Sequence, residues 1–344
     1  MGHFPRAVPI PSEARGELHQ SLFVTPDRVV ASRGMRVLVT GGAGFIGSHV
    51  AQACLDAGHE VTIVDNMSCG SRRNLPRDAA FFEVDIRDPA ALRRVFADSR
   101  PQVVSHQAAQ ASVYNSTLEP TYDAEVNIIG SLNVLNAAVE HGVERFIFAS
   151  TGGAIYGEVP APRSADEGCP TRPRSPYACS KLAIEQYLRF YELEKGLKSC
   201  ALRYANVYGP RQSPHGECGV VAIFGARLLS GEPIRIHAMR APGDGGCIRD
   251  YVYITDVVRA NMVAIGGKLV YPCMNVCTGI GTSTADLGRK LRRICGSRSP
   301  IVDGECRPGD VMRSVLSPDL CSTLGPITPL DDGLEDTVNW LRAS

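Results

Sequence analysis

From Met35 onward, short runs of branched aliphatic residues alternate with longer stretches whose apolar positions recur at helical spacing. The runs predict strands over 36–40, 60–64, 80–84, 102–105 and 144–149, with helices between several of them. After the first strand, Ile46, Val50, Ala53 and Ala57 repeat at the helical period and Gly58 supplies a stop. Strands joined by helices imply a parallel sheet covered on both faces, because each crossover lays its helix across the sheet. No repeat of solenoid length is visible, which leaves one doubly wound α/β domain and a second, less regular C-terminal part.

Residues 1–34 differ in kind. Pro5, Pro9, Pro11 and Pro26, scattered charges and the lack of an apolar period predict an unstructured extension. It has no apolar central run of a signal peptide, and Glu13, Glu17 and Asp27 do not suit an acid-poor transit peptide, so cytoplasmic residence is the default expectation. Met35, directly before the first strand, is an alternative start. Lys plus Arg and Asp plus Glu both total 36, so no net field draws the chain to a polyanion or an acidic bilayer; neither nucleic acid nor a membrane is an expected partner. No stretch approaches the roughly 18 to 20 uncharged apolar residues of a membrane span. The 12 Cys residues read as mostly free thiols, because Cys273 with Cys277 and Cys169 with Cys179 lack the two-residue spacing of zinc knuckles and redox pairs.

The segment TGGAGFIG at 40–47 joins the first strand to the first helix. Gly42, Gly44 and Gly47 satisfy the dinucleotide fingerprint, and Gly41, Gly44 and Gly47 a wider spacing. Glycine suits a tight turn whose backbone approaches a pyrophosphate, with the helix amides and dipole facing the negative charge. Asp65 ends the next strand about 20 residues on, where a carboxylate can accept from both ribose hydroxyls and would repel a 2′-phosphate. NAD is the expected cofactor, with Arg72 and Arg73 keeping NADP open. Asp85 either meets the adenine or caps a helix.

Tyr177 and Lys181 in SPYACSK lie four apart at a helix start, on one face, and Ile184, Leu188 and Tyr191 continue that stripe. A phenol acting as a base near neutral pH needs its pKa lowered by roughly 3 units from about 10, or about 4 kcal/mol. A neighbouring ammonium works in that direction.

TGGAGFIGSH, VDNMSCG, VDIRD, HQAAQ, FASTGGAIYG, SPYACSK, LRYANVYGPRQ, IRDYVYITDVV and RPGD, in that order, resemble the extended short-chain dehydrogenase/reductases, and among them most of all the NAD-dependent UDP-glucose 4-epimerases. The resemblance runs from Met35 to about Trp340. It implies a Rossmann-type doubly wound parallel sheet over 35–206, to which the chain returns around 250–277, and a smaller C-terminal α/β substrate domain taking most of 207–344. It implies that Phe45 and Ile46 pack at the pyrophosphate, that Asp65, Asn66, Ser68 and Gly70 surround the adenosine ribose, and that Asp85 with Ile86 holds the adenine. Gln107, Ala108, Ala109 and Gln110 would line the nicotinamide half with Asn127 and Tyr204. Tyr177 would remove the proton of the sugar 4-hydroxyl, with Lys181 as its partner, while the C4 hydride is lent to NAD and returned to the opposite face. Asn206 and Arg249 would lie near the UDP phosphates, and Arg307 with Asp310 near the uridine. A homodimer through helices near 119–140 and 176–194 is also implied, although the apolar stripe of the second helix could equally be core.

The chain departs from the family pattern in one place that matters. The usual Ser falls on Gly152, and Thr151 is the nearest hydroxyl, so Thr151 is assigned a supporting role. Gly152 and Gly153 also stand where related 4,6-dehydratases and decarboxylases place an acid, which disfavours chemistry beyond oxidation and re-reduction at one carbon. Ser213 stands where UDP-glucuronate epimerases place an Arg, so a neutral hexose fits better. Ser314, four past Asp310, replaces a bulky Tyr that blocks N-acetyl groups in some relatives, so UDP-GlcNAc enters as a second substrate. The insertion AMRAPGDGG at 238–246 lengthens a loop near Arg249. A net NAD(P)-linked reductase and a scaffold that has lost catalysis are the competing readings. A metal hydrolase is the remotest, since the histidines show no HExxH or comparable spacing.

Overall fold

The computed structural model describes residues 34–214, 219–269, 271–306 and 311–344. Apart from Gly34, the expected extension lies outside the described residues.

Thirteen strands occur among them, beginning with β1 (Arg36–Thr40), β2 (Glu60–Asp65), β3 (Ala80–Glu83), β4 (Val103–His106), β5 (Arg145–Thr151) and β6 (Lys198–Tyr204). After β6 come β7 (Asn206–Tyr208), β8 (Ile234–His237), β9 (Ile248–Tyr253), β10 (Cys273–Val276), β11 (Gly281–Ser283), β12 (Ile301–Gly304) and β13 (Arg313–Ser314). Seven form one parallel sheet in the order β3-β2-β1-β4-β5-β6-β10. The chain winds outward from β1 to β3, then returns to the other side of β1 at β4. That reversal opens a crevice at the carboxyl ends of β1 and β4, the usual ligand position in such sheets. In the C-terminal part, β9 pairs with β7, β11 and β13, and β8 pairs with β12.

The strands are buried on both faces, as parallel strands sandwiched by helices must be: Val37, Leu38, Val39, Ile63, Val104, Phe146, Ile147 and Phe148 are all at 1% exposure or less. The first helix spans Phe45–Asp56, so that of the expected positions Val50 is buried and Ile46 packs against the core, while Ala57 lies past its end. Gly47, Ser48, Val50, Ala51 and Cys54 are buried, while Ala57 is exposed. Gly47 meets the glycine loop, and further along the same face Cys54 meets Met262 of the helix Ile254–Ile265.

The helix Pro176–Lys195 is delimited by local signals. Ser175 accepts from the Ala178 amide, Pro176 occupies the first turn and Gly196 closes the end at φ 69°. The stripe of Ile184, Leu188 and Tyr191 is core. A second stripe, Tyr187, Phe190 and Leu193, faces outward. Beneath the same helix a buried ion pair joins Glu185 to Arg203 on β6 at 2.6 Å, and the Ser150 hydroxyl donates to Glu185 at 2.5 Å. Arg203 also donates to the Tyr156 hydroxyl at 2.7 Å.

Removing one partner of such a pair leaves a dehydrated charge uncompensated. Glu185→Ala is expected to lower stability to chemical denaturation by about 3–5 kcal/mol, and the double variant Glu185→Leu/Arg203→Met to recover much of that loss. Equal losses in the single and double variants would contradict this.

Candidate active site

The glycine loop is shaped by close approach. Gly41 has φ +67°, and a Cβ there would lie 2.7 Å from the Ala108 amide nitrogen; a Cβ on Gly47 would lie 2.1 Å from the Gly41 carbonyl oxygen. Two backbone segments, 40–47 and 106–110, therefore touch at the crevice. The helix beginning at Phe45 has Gly44 as its N-cap, no side-chain cap and no acid in its first turn. Its amide donors and dipole are uncompensated by any side chain, which fits a dinucleotide pyrophosphate. Gly42 lies against Ile63, Phe45 and Ile46 are half-buried, and the Phe45 ring meets His49 edge-on.

Asp65 is buried at the end of β2, accepting from the Ala43 amide at 3.0 Å and the Met67 amide at 2.8 Å. A carboxylate offers about four acceptor positions, so two remain for ribose hydroxyls. Gly70 closes over it, since a Cβ there would meet Ala43 and the carboxylate. Asn66 accepts from the Ser68 amide and donates to Asp85 at 2.9 Å. Arg72 is drawn away to Glu83 and lies over Phe81, so it does not face Asp65 to receive a 2′-phosphate.

The helix over Pro89–Ser99 is capped by Asp88, so Asp85 is not its cap. Asp85 instead accepts from the amide and guanidinium of Arg87, which together with Asn66 hold its carboxyl down at about 2. Ile86 is buried with its side chain against Gly130, leaving chiefly its backbone for a ligand.

His106 ends β4 fully buried. The Ala108 amide donates to the Thr40 hydroxyl, and Thr40 contacts His106 Nδ1 at 2.7 Å; His106 Nε2 contacts Ser131 at 2.9 Å, and Ser131 donates to the Asn127 carbonyl. This directional chain assigns the proton to Nε2. Burial, and then the Lys181 charge, push the imidazole down to about 3, so it stays neutral.

Gln107 donates to Ser105 and Asn261 and accepts from the Tyr204 hydroxyl, to which Asn261 also donates. Burial raises the Tyr204 phenol to about 12, so Tyr204 and Gln107 enter the site as parts of a neutral buried triangle. Ala109 is half-buried. Gln110 and Asn127 exchange backbone and amide hydrogen bonds at 2.9–3.0 Å, and both donate to Asp123.

Tyr177 is half-buried on the first turn of its helix and Lys181 is buried one turn on. Lys181 Nζ donates to the Ala149 carbonyl at 2.8 Å and lies 4.8 Å from the Phe148 ring centre and 5.9 Å from that of Tyr177. Burial lowers the ammonium to about 8, with Asp123 opposing the shift. Thr151 ends β5, buried, and its hydroxyl has no hydrogen-bond partner among the described residues. A Cβ on Gly152 would lie 2.4 Å from Leu316 Cδ1 and 3.0 Å from the Arg203 carbonyl oxygen, so Gly152 packs directly against both. Asn206 approaches Gly153, its Oδ1 3.4 Å from where a Cβ would be.

Arg249 lies on β9, in register with Ser314, and donates to the Ile248 carbonyl at 3.1 Å. The adjacent Asp250 is buried, binding Thr278 and Gly279 and so joining β9 to the 278–316 segments. The 238–246 insertion is closed by Asp244, whose carboxylate accepts from the amides of Met239, Arg240, Ala241 and Gly246. Arg307 and Asp310 lie outside the described residues. Among the described residues no helix is long and apolar enough to cross a membrane.

Residues 37–275 match the model of the NAD dependent epimerase/dehydratase family. The chain belongs to this family. Within it, the chain is similar to the UDP-glucose 4-epimerase of Thermus thermophilus in complex with NAD: TM-score 0.87, 49% identity, covering 90% of this chain and 100% of that one. It is similar to the UDP-glucose 4-epimerase of Thermotoga maritima with UDP-glucose, with TM-score 0.83, 46% identity and coverage of 89% and 98%. The UDP-N-acetylglucosamine 4-epimerase of Methanobrevibacter ruminantium, in complex with UDP-N-acetylmuramic acid, gives TM-score 0.82, 32% identity and coverage of 91% and 99%.

Asp123, Asn261, Asp250 and the Glu185–Arg203 pair are absent from the sequence expectations. Their partners lie up to 154 residues away, as for Gln107 with Asn261, and only the tertiary fold brings them together.

Neutral His106 makes a pH prediction. Its folded value, about 3, lies below the roughly 6.5 of an unfolded histidine, so the unfolded chain binds the extra proton as pH falls below 6.5. From pH 7 to pH 5 the wild type is expected to lose about 2 kcal/mol more stability in urea than His106→Gln. Parallel losses would show that this imidazole does not drive the acid sensitivity.

Proposed function

We propose that the chain catalyses reversible C4 epimerisation of a UDP-hexose, interconverting UDP-glucose and UDP-galactose. The observation that carries this reading is a site with one proton-handling pair, Tyr177 and Lys181, beside a hydroxyl at Thr151 and two glycines where a second acid would stand. Dehydration needs a further proton donor or acceptor there, and the space beside Gly152 is taken by Leu316.

The loop glycines Gly41, Gly42, Gly44 and Gly47 would hold the pyrophosphate of NAD, Asp65 its adenosine ribose, and Lys181 with Asn127 the nicotinamide half. When bound, NAD would supply a reversible hydride acceptor for C4 of the sugar. Tyr177 takes the 4-hydroxyl proton as the alcohol becomes a ketone and returns it when the ketone is reduced from the other face. Lys181 holds positive charge near the phenol and thereby favours its ionised form. Thr151 donates to the 4-oxygen, doing the work of the usual serine. Asn206 and Arg249 bind the diphosphate firmly, so the keto sugar can turn about its linkage without release.

A second substrate follows from Ser314. Side chains two apart along an extended segment share a face, so Ser314 lies on the side of Leu316, which reaches Gly152. A small residue there leaves room for an N-acetyl group, and the similarity to a UDP-N-acetylglucosamine 4-epimerase supports UDP-GlcNAc as an additional substrate.

We assign the enzyme to galactose metabolism in the cytoplasm, as a homodimer. The dimer reading is supported by large apolar side chains left exposed on neighbouring helices: Tyr114, Leu118 and Tyr122, with Tyr187, Phe190 and Leu193 on Pro176–Lys195. Leu118 is 62% exposed and Leu193 71%, more than single surface residues of this kind need be.

Tyr177→Phe is expected to lower turnover of UDP-galactose to UDP-glucose by at least about a hundredfold, the lower range for loss of a general base, while the protein keeps its NAD. A coupled UDP-glucose assay without added NAD, with cofactor content by chromatography after denaturation, decides it. Unchanged turnover would refute the role of Tyr177. Phe190→Asp/Leu193→Asp is expected to give a folded monomer by sedimentation, and a persistent dimer would place the interface elsewhere.

A further inference from the structure

No motif in the sequence points to Asp123, yet it is wholly buried and holds three side chains around the site. Gln110 donates to its Oδ1 at 3.0 Å, Asn127 to the same oxygen at 2.9 Å, and the Ser180 hydroxyl to its Oδ2 at 2.6 Å. These three come from the 106–110 loop, the segment after Pro120–Ala124 and the catalytic helix, and Ser180 is the residue before Lys181.

A carboxylate in this position must have a reason to be charged, because burying an anion is costly unless hydrogen bonds and an opposite charge compensate. The groups around Lys181 identify that charge. On its own helix stand Tyr177 and, one turn on, Glu185, which is occupied by Arg203 of β6. From β4 comes His106, neutral through its burial and hydrogen-bonded to Thr40 and Ser131. From β5 come only the Phe148 face and the Ala149 carbonyl, which carry no net charge. From Pro120–Ala124 comes Asp123, whose field acts on Lys181 against the effect of burial.

We propose that Asp123 is a positioning residue of the epimerase site, its buried carboxylate keeping the Lys181 ammonium charged and tying the Tyr177 helix to the 106–110 loop. This rests on the reading of Tyr177 and Lys181 given above. Its consequence is directional: without the negative charge, Lys181 gives up its proton at lower pH, and Tyr177 loses its cationic neighbour sooner as pH rises.

Two measurements on NAD-containing protein test it. In the pH profile of kcat/KM for UDP-galactose, Asp123→Asn is expected to move the alkaline limb down by about one pH unit, a tenfold loss on that limb. Ser180→Ala, which keeps the charge and deletes one hydrogen bond, should leave the limb in place. Lysine 13Cε NMR, with Lys181→Met identifying the resonance, should show Lys181 titrating lower in Asp123→Asn. If that variant does not fold, Asp123→Ser, which leaves room for water, is expected to give the same two shifts. A loss equal at every pH, or a Lys181 titration that does not move, overturns the proposal. Wild-type protein unable to epimerise would instead refute the functional reading, and the NMR result would still decide the role of Asp123.

Discussion

A lysine ammonium with 3% of its surface exposed sets the conditions that the surrounding elements must meet. Dehydrating such a charge costs several kcal/mol, so it persists only where donors, acceptors and opposite charge are supplied in the right places. Here the Ala149 carbonyl and the Phe148 ring of β5 meet the ammonium itself, and Asp123, on the short helix before Asn127, holds the hydroxyl of the neighbouring Ser180. The helix Pro176–Lys195 can therefore sit in only one place relative to the sheet. Tyr177, one turn before the lysine, is carried to the crevice as a consequence.

The same charge shapes the groups beside it. His106 is neutral partly because a second cation beside Lys181 would be repelled, and its neutrality permits the one-way hydrogen-bond chain from Ala108 through Thr40 to Ser131. That chain fixes the 106–110 loop against β1, where Gly41 and Ala108 are in contact. The 40–47 loop and the helix bearing Tyr177 and Lys181, far apart in sequence, are thus joined by one chain of polar contacts through His106, Ser131, Asn127, Asp123 and Ser180.

This division explains which parts were legible in the sequence. The turn over 40–47, Asp65 at the end of the next strand, and Tyr177 with Lys181 four apart are all patterns whose geometry is set within a few residues or one strand–helix–strand unit. Long-range groups were not legible, because Asp123, Asn261 and Arg203 carry no local signal that separates them from surface polar residues. The first helix shows a subtler failure. Its hydrophobic period gives Ile46, Val50, Ala53 and Ala57, of which Val50 is buried and Ala57 lies past the helix end, and the period carries no sign that Gly47 closes on the Gly41 carbonyl. Asp85 was ambiguous for a similar reason: two aspartates, at 85 and 88, precede the same helix, and only the folded backbone shows that Asp88 takes the cap.

The departure at Gly152 shows how the two parts of the chain constrain one another. A serine there would need space that Leu316, from the C-terminal part, already fills. Thr151 carries the nearest hydroxyl along the strand. It is the last residue of β5, extended at φ −130° and ψ 109°, with its hydroxyl not claimed by the helix that follows. Ser150, on the opposite face of the strand, is already bound to Glu185 and cannot serve. Gly152 and Leu316 are thus matched across the two parts of the chain: the leucine methyl occupies the space beside the glycine, and the Thr151 hydroxyl stands one residue earlier at the strand end.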